Sequence, residues 1–144
     1  MCIIIDASLA SRVFSIPTSN DFVPLIRWIE KNGKIVYGGE NGRELIKLNL
    51  AAKRIQEWKR SGRAEEILDV DKEESRIVET LTFRSDDPHI IALARTSGAR
   101  TLCSHDQDLH RDFKNASLIP RPKGRIYQDR NHTSTLTHCT GCRK

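Results

Sequence analysis

Several features that mark other protein classes are missing from this chain of 144 residues. No apolar run approaches the roughly 20 residues that a helix needs to cross a bilayer, so we expect no membrane contact. The first residues, Met1-Cys2-Ile3-Ile4-Ile5-Asp6, lack the basic and long apolar segments of a signal peptide. The four cysteines do not follow the spacing of a disulfide framework, and we therefore expect a cytoplasmic protein.

Common phosphate-handling motifs are missing as well. The glycine-rich segment Gly38-Gly39-Glu40-Asn41-Gly42 has neither the GxGxxG spacing nor the Lys-Ser/Thr of a P-loop. A receiver domain would need an acidic pair near the first strand and a phosphoacceptor aspartate in mid-chain, and the sequence shows neither. Asp6-Ala7-Ser8 lacks the second aspartate of an aspartyl-nucleophile phosphatase. Any catalytic chemistry must therefore use a different arrangement of residues from these motifs.

Positive charge is concentrated near the C-terminus. The chain carries a net charge of +5, and from Lys114 to Lys144 seven basic residues stand against one acidic residue, Asp129. This asymmetry favours a polyanionic partner, nucleic acid in particular, over a tail that is basic only for solubility. The predicted phosphate contacts are Arg121, Lys123, Arg125 and Arg130.

Short apolar runs alternate with helical patterns. Strands are predicted at 2–5, 34–37, 67–68 and 101–104, and helices at 7–14, 21–31, 39–60, 71–82, 88–96 and 106–114. This alternation predicts an α/β fold with a central parallel sheet. We expect a domain over residues 1–119 and a basic, irregular tail over residues 120–144, in which Arg125-Ile126-Tyr127 is the one strand-like piece.

Acidic residues stand at the edges of these runs. Asp6 closes the first run, Asp86 and Asp87 precede a helix, and Asp106 and Asp108 follow the last run. Because ligands bind beyond the carboxyl ends of parallel strands, such carboxylates tend to converge on one cleft. There they repel one another unless a cation lies between them. The pattern predicts a metal site; the alternative for each acid is a helix cap or a solvated loop residue.

Four segments together resemble the PIN-domain nucleases, particularly the bacterial toxins of the VapC type. They are Ile4-Ile5-Asp6-Ala7-Ser8, Arg43-Glu44-Leu45, the helix that starts Asp87-Pro88-His89-Ile90-Ile91-Ala92, and Ser104-His105-Asp106-Gln107-Asp108. The resemblance covers roughly residues 2–119. It implies a three-layer α/β/α fold and a metal-dependent endoribonuclease that hydrolyses RNA phosphodiester bonds.

The resemblance also implies roles for individual residues. The catalytic and metal-binding acids would be Asp6, Glu44, Asp87 and Asp106, with Asp108 as a further metal ligand and Ser104 as a supporting hydroxyl. Glu40 competes with Glu44, and Asp86 with Asp87. Carboxylate oxygens favour Mg²⁺ or Mn²⁺ over zinc. His89 and His105 adjoin the acids, but packing or surface histidines are the preferred interpretation.

The resemblance extends to partners. It implies the toxin of a toxin–antitoxin system, with a cognate antitoxin protein over the acidic cleft, and a homodimer. The alternative is a catalytically silent PIN-like domain that binds nucleic acid or protein through its basic tail.

The tail departs from the family pattern. His132, His138, Cys139 and Cys142 include a Cys-x-x-Cys and could form a zinc site. The irregular spacing and the adjacency of His138 and Cys139 make a disordered tail the preferred interpretation.

Overall fold

Five short strands form one parallel sheet in the computed structural model, which describes residues 2–136. The strands are β1 (Cys2–Ile5), β2 (Lys34–Tyr37), β3 (Ala64–Glu66), β4 (Thr101–Cys103) and β5 (Arg125–Tyr127). Their order across the sheet is β3-β2-β1-β4-β5. The predicted α/β fold with a central parallel sheet is confirmed.

Helices cover both faces of the sheet. They are α1 (Ala7–Val13), α2 (Val23–Lys31), α3 (Gly39–Ile46), α4 (Asn49–Arg60), α5 (Val70–Thr80), α6 (Pro88–Ser97) and α7 (Gln107–Lys114), followed by a 3₁₀ helix (Arg130–Thr135). Helices α1, α2 and α4 belong to one hydrophobic cluster, and α5, α6 and α7 to the other. The three-layer α/β/α arrangement is therefore confirmed. No helix within residues 2–136 is long and apolar enough to cross a membrane.

The central strand β1 belongs to both clusters. Ile3 and Ile5 pack into the first cluster, Cys2 and Ile4 into the second, and all four are fully buried. A continuous apolar run is the pattern of a parallel strand covered on both faces. This burial fixes the position of Asp6, the first residue after the strand.

The single long helix predicted over residues 39–60 is wrong. The structure divides it into α3 and α4, and Leu48 between them has an extended backbone (φ −97°, ψ 112°). The break lets each half follow a different surface, because α3 contacts α5 and α6 whereas α4 contacts β3. No glycine or proline marks the break between Arg43 and Arg60.

Two predicted boundaries near β3 also need correction. The strand lies at Ala64–Glu66 instead of residues 67–68, although the Ile67 amide still donates to the Tyr37 carbonyl oxygen at 2.7 Å. Helix α5 begins at Val70, and its N-cap is Asp69, not Asp71. Val70 is buried, so packing of this apolar side chain sets the start of the helix.

The segment that follows residue 119 contributes to the sheet. Strand β5 pairs with β4, with Arg125 opposite Thr101 and Tyr127 opposite Cys103. Tyr127 is fully buried, and its hydroxyl donates to the Asp21 carbonyl oxygen at 2.6 Å. Residues 120–136 therefore pack onto the body of the protein. Of the zinc ligands considered, His138, Cys139 and Cys142 lie outside the described residues.

Candidate active site

A cleft opens at the carboxyl ends of β1 and β4. The chain leaves β1 into α1 on one face of the sheet and leaves β4 into α7 on the other. Such a reversal creates a crevice in which ligands of open α/β sheets bind. The cleft has a volume of about 510 Å³ and is lined by Asp6, Ala7, Ser8, Glu44, Lys47, Leu48, Asp87 and Asp106. The four acids expected to form the site thus share one cleft.

Asp6 is the most firmly held of these acids. Its side chain caps α1 by accepting from the Ser8 amide at 3.3 Å through Oδ1. Its Oδ2 accepts from the Ser104 hydroxyl at 2.7 Å, and its backbone amide donates to the Cys103 carbonyl oxygen at 3.0 Å. Both carboxylate oxygens are therefore oriented by the protein.

Ser104 connects Asp6 to Asp106. Besides donating to Asp6, its hydroxyl accepts from the Asp106 backbone amide at 3.1 Å. Asp106 in turn caps α7, with Oδ1 accepting from the amides of Asp108 and Leu109 at 3.0 and 3.2 Å. Ser104 is fully buried. One hydroxyl thus couples the loops after β1 and β4.

A buried histidine, His110, forms a hydrogen bond with the loop that follows β4. His110 Nε2 lies 2.6 Å from the Ser104 carbonyl oxygen, and the Gln128 side-chain amide lies 3.1 Å from His110 Nδ1. A carbonyl only accepts, so Nε2 carries the proton and Nδ1 accepts from Gln128. Burial lowers the pKa of His110, which favours this neutral form. Sequence patterns gave no sign of this contact.

Asp87 and Glu44 are held less firmly. Within the described chain, the Asp87 side chain makes no capping hydrogen bond, although the residue is the N-cap of α6. Burial raises the pKa of Asp87, and the charges of Asp6 and Asp106 raise it further. Burial likewise raises the pKa of Glu44, and Glu40, Asp87 and Asp6 add to the rise. The charge on each of these carboxylates therefore affects the others.

His89 offsets part of that repulsion. It is buried on the first turn of α6, and its Nε2 lies 3.4 Å from Glu44 Oε1. Its charge, when protonated, lowers the pKa of both Glu44 and Asp87. The packing histidine expected at this position thus also contacts an acid of the cleft.

The competing acids lie outside the cleft. Glu40 pairs with Arg43 at 3.1 Å, and Asp86 is an exposed neighbour of Asp87. Asp108, expected as a further metal ligand, is exposed on the first turn of α7, 3.8 Å from Arg111. It does not line the cleft.

Three residues near the cleft escaped the sequence analysis. Lys47 and Leu48 line it only because the helix breaks there. Asn41 is fully buried on α3, one turn before Glu44, and its Nδ2 donates to the Ile5 carbonyl oxygen at 2.9 Å. That hydrogen bond ties α3 to the end of β1 and so positions Glu44 beside Asp6.

The predicted phosphate contacts divide between the two ends of the sheet. Arg121 and Lys123 precede β5 and Arg125 begins it, which places them at the end opposite the cleft. Arg130 follows β5 and lies 4.0 Å from Asp21, at the same end as the cleft. These four side chains therefore do not form one surface.

The acids suit Mg²⁺ or Mn²⁺ by donor type. Within residues 2–136, however, no three His, Cys, Asp or Glu side chains lie close enough together to hold one ion directly. Mg²⁺ commonly keeps several waters and takes only one or two carboxylates.

Comparison with known proteins gives no match. No protein-family model, no curated protein and no solved structure matches this chain. Interpretation of the cleft therefore depends on its own geometry and chemistry.

Proposed function

We propose that this protein is a Mg²⁺- or Mn²⁺-dependent endoribonuclease of the PIN type. The observation that carries the proposal is the convergence of Asp6, Glu44, Asp87 and Asp106, from four separate elements, on one cleft at the carboxyl ends of β1 and β4. Burial is the main cause of the raised pKa values of Glu44 and Asp87, and the neighbouring carboxylates add to it. That added repulsion supports the proposal, because a divalent cation would relieve it.

The four acids of the cleft can take different roles in phosphodiester hydrolysis. Asp6 and Asp106, fixed through Ser104, present oriented carboxylate oxygens. Glu44 and Asp87, less constrained, can hold a water or accept its proton on a carboxylate oxygen. A bound divalent cation would lower the pKa of a water and stabilise the charge developing on the phosphate.

Cleavage assays test this proposal. We expect the full-length protein to cut single-stranded RNA with Mg²⁺ or Mn²⁺ and to lose that activity in EDTA. Asp87→Asn should cut at least about 100-fold more slowly, in line with the usual effect of losing a catalytic acid or base. Asp87 makes no capping hydrogen bond within the described chain, so the fold should persist, as circular dichroism would verify. RNA cleavage that is equal in EDTA, or equal in Asp87→Asn, refutes the proposal; a DNA substrate tests the choice of RNA.

We also propose, on the resemblance alone, that this activity belongs to the toxin of a toxin–antitoxin pair, with an antitoxin over the cleft and a homodimer in solution. Induced expression in bacteria should then arrest growth with the wild type and not with Asp87→Asn. Light scattering after size exclusion gives the oligomeric state. Growth that continues with the wild type argues against a toxin without bearing on the nuclease.

A catalytically silent domain that binds RNA is the second candidate. It is favoured by one observation, the placement of Arg121 and Lys123 on the end of the sheet away from the acids. Removing residues 120–144 would also remove β5, so point changes are the better test. RNA binding that ignores EDTA and is lost in an Arg121→Gln, Lys123→Gln double variant would support this candidate. Under the nuclease proposal the double variant keeps most of its cleavage rate.

A further inference from the structure

Lys47 differs in charge from the other residues that line the acidic cleft. Among those described in residues 2–136, it is the one basic side chain that lines the cleft, beside four carboxylates. It is exposed, and its side chain forms no ion pair or hydrogen bond within the described part of the chain. A cation that stays unpaired beside four acids is available to another anion.

The break between α3 and α4 places Lys47 in the cleft. Lys47 is the C-cap of α3, and the extended backbone of Leu48 turns the chain away before α4 begins. A cation at a helix C-terminus is favoured by the helix dipole, which gives Lys47 a structural role as well. A lysine at any position in the last turn of α3 would interact favourably with the helix dipole, however. The dipole therefore does not explain why Lys47 lies in the cleft.

Charge balance indicates what Lys47 contacts. A divalent cation compensates at most part of the charge of four carboxylates, and an entering phosphodiester adds a further negative charge. Phosphate groups in nucleic-acid complexes are contacted chiefly by arginine and lysine side chains. The described lining offers one such side chain. Arg121, Lys123 and Arg125 lie at the other end of the sheet, and Arg130, at the same end, lies 4.0 Å from Asp21 and does not line the cleft.

We propose that Lys47 is a substrate-binding residue that contacts a phosphate of the RNA strand in the cleft. The inference rests on the proposed nuclease function and adds the residue that admits a polyanion to an acidic site. Lys47 binds the strand beside the carboxylates and the break at Leu48 holds it there. The competing role is that of an internal counterion, which neutralises the acids when no metal is bound.

The matched pair Lys47→Gln and Lys53→Gln tests the proposal. Lys53 is exposed on α4 and does not line the cleft, so both variants remove the same charge from neighbouring positions. With a single-stranded RNA oligonucleotide and Mn²⁺, we expect kcat/KM to fall about tenfold in Lys47→Gln, the usual scale for a charged hydrogen bond. Lys53→Gln should match the wild type, and Lys47→Arg should restore most of the loss.

Salt dependence separates the two roles. Losing one phosphate contact on a single strand reduces the slope of log kcat/KM against log salt by about 0.7. We expect this change in slope in Lys47→Gln and not in Lys53→Gln. Binding of Mn²⁺ to the cleft should raise the Tm of the wild type, and we expect that rise to be kept or enlarged in both variants. An unchanged slope together with a changed Mn²⁺ response would overturn the proposal in favour of the counterion role and leave the nuclease function intact. A wild type that neither binds nor cuts RNA would remove the nuclease function and the role of Lys47 with it.

Discussion

Among single residues, Ser104 has the most consequential position. Its buried hydroxyl donates to the carboxylate of Asp6, which follows β1, and accepts from the backbone amide of Asp106, which follows β4. A buried donor or acceptor that loses its partner costs more than the hydrogen bond contributed, because the group is no longer solvated. The separation of Asp6 and Asp106 therefore depends on an oxygen that contacts no substrate.

Replacing Ser104 with alanine should affect both stability and activity. We expect Ser104→Ala to lower the free energy of unfolding by about 1–3 kcal/mol, since the Asp106 amide loses its acceptor. RNA cleavage well below the Tm should also fall, because Asp6 loses its orienting donor. The control is Ser97→Ala, which removes a buried hydroxyl that accepts from the Ala99 amide at 3.1 Å, away from the cleft. Equal cleavage losses in both variants would mean that Ser104 acts through stability alone.

Asp87 should destabilise the metal-free protein. Its folded-state pKa is raised, first by burial and then by neighbouring acids, above the value of about 3.9 in an unfolded chain. The folded state then binds more protons than the unfolded state between these two pKa values, so stability falls as the pH rises through them. We expect Asp87→Asn to raise the Tm at pH 7, and the gain to shrink toward pH 4.

Calorimetry in EDTA across that pH range measures this effect, with Glu79→Gln, a change at an exposed acid outside the cleft, as the control. A Tm for Asp87→Asn at or below that of the wild type at pH 7 would contradict the cause given for the shift.

At the level of helices and strands, β5 determines how much of the C-terminal segment is structured. Its approach is tight at Gly124, where an added Cβ would overlap the carbonyl oxygen and the ring of Phe113. Phe113 is fully buried in α7, so neither group can easily move. A glycine thus allows the chain to cross α7 closely before it pairs with β4.

Gly124→Ala should displace β5. Overpacking of this kind costs about 1–3 kcal/mol, and the loss should concentrate in the β4–β5 pairing. Hydrogen exchange of the amides in residues 125–127 measures it. Gly62→Ala is the control, because that position has a positive φ of 79° and no atom within 4 Å of an added Cβ. Its cost is backbone strain alone, and it should leave exchange in β5 unchanged; normal protection of β5 in Gly124→Ala would refute the prediction.

For the whole molecule, charge is separated between the ends of the sheet. Four carboxylates line the cleft at the carboxyl ends of β1 and β4, and Arg121, Lys123 and Arg125 lie at the opposite end. A ligand that binds the folded state alone stabilises it by mass action. Because the folded state brings the carboxylates together, divalent cations should act on the stability of the entire fold.

The Tm of the wild type should therefore rise as the concentration of Mg²⁺ or Mn²⁺ increases. At an ion concentration of one hundred times Kd, the free energy of unfolding should increase by about 2.7 kcal/mol. The rise should be smaller in Asp87→Asn and absent with Na⁺ at equal ionic strength. Calorimetry or circular dichroism measures it without reference to catalysis. A Tm that responds equally to Na⁺ and Mn²⁺ would indicate screening and no specific site.

Local sequence signals predicted the parallel sheet and placed Asp6, Asp87 and Asp106 at the ends of its elements, whereas Glu44 was named only through the family resemblance. Burial makes β1 continuously apolar, and Asp6 and Asp106 are helix caps with ordinary cap chemistry. The break at Leu48 was missed because packing, and no glycine or proline, creates it. The roles of Asn41 and His110 were missed because each depends on a partner brought near by the fold.

The hydrogen bond between Ser104 and Asp6 joins residues 98 positions apart. Closing so long a loop is entropically costly and is favoured only once the intervening elements are in place. During synthesis, β1 cannot pair with its neighbour β4 until the chain has emerged as far as Cys103. The cleft is therefore completed late in folding, and nascent or truncated chains that end before β4 hold the first acids without the last.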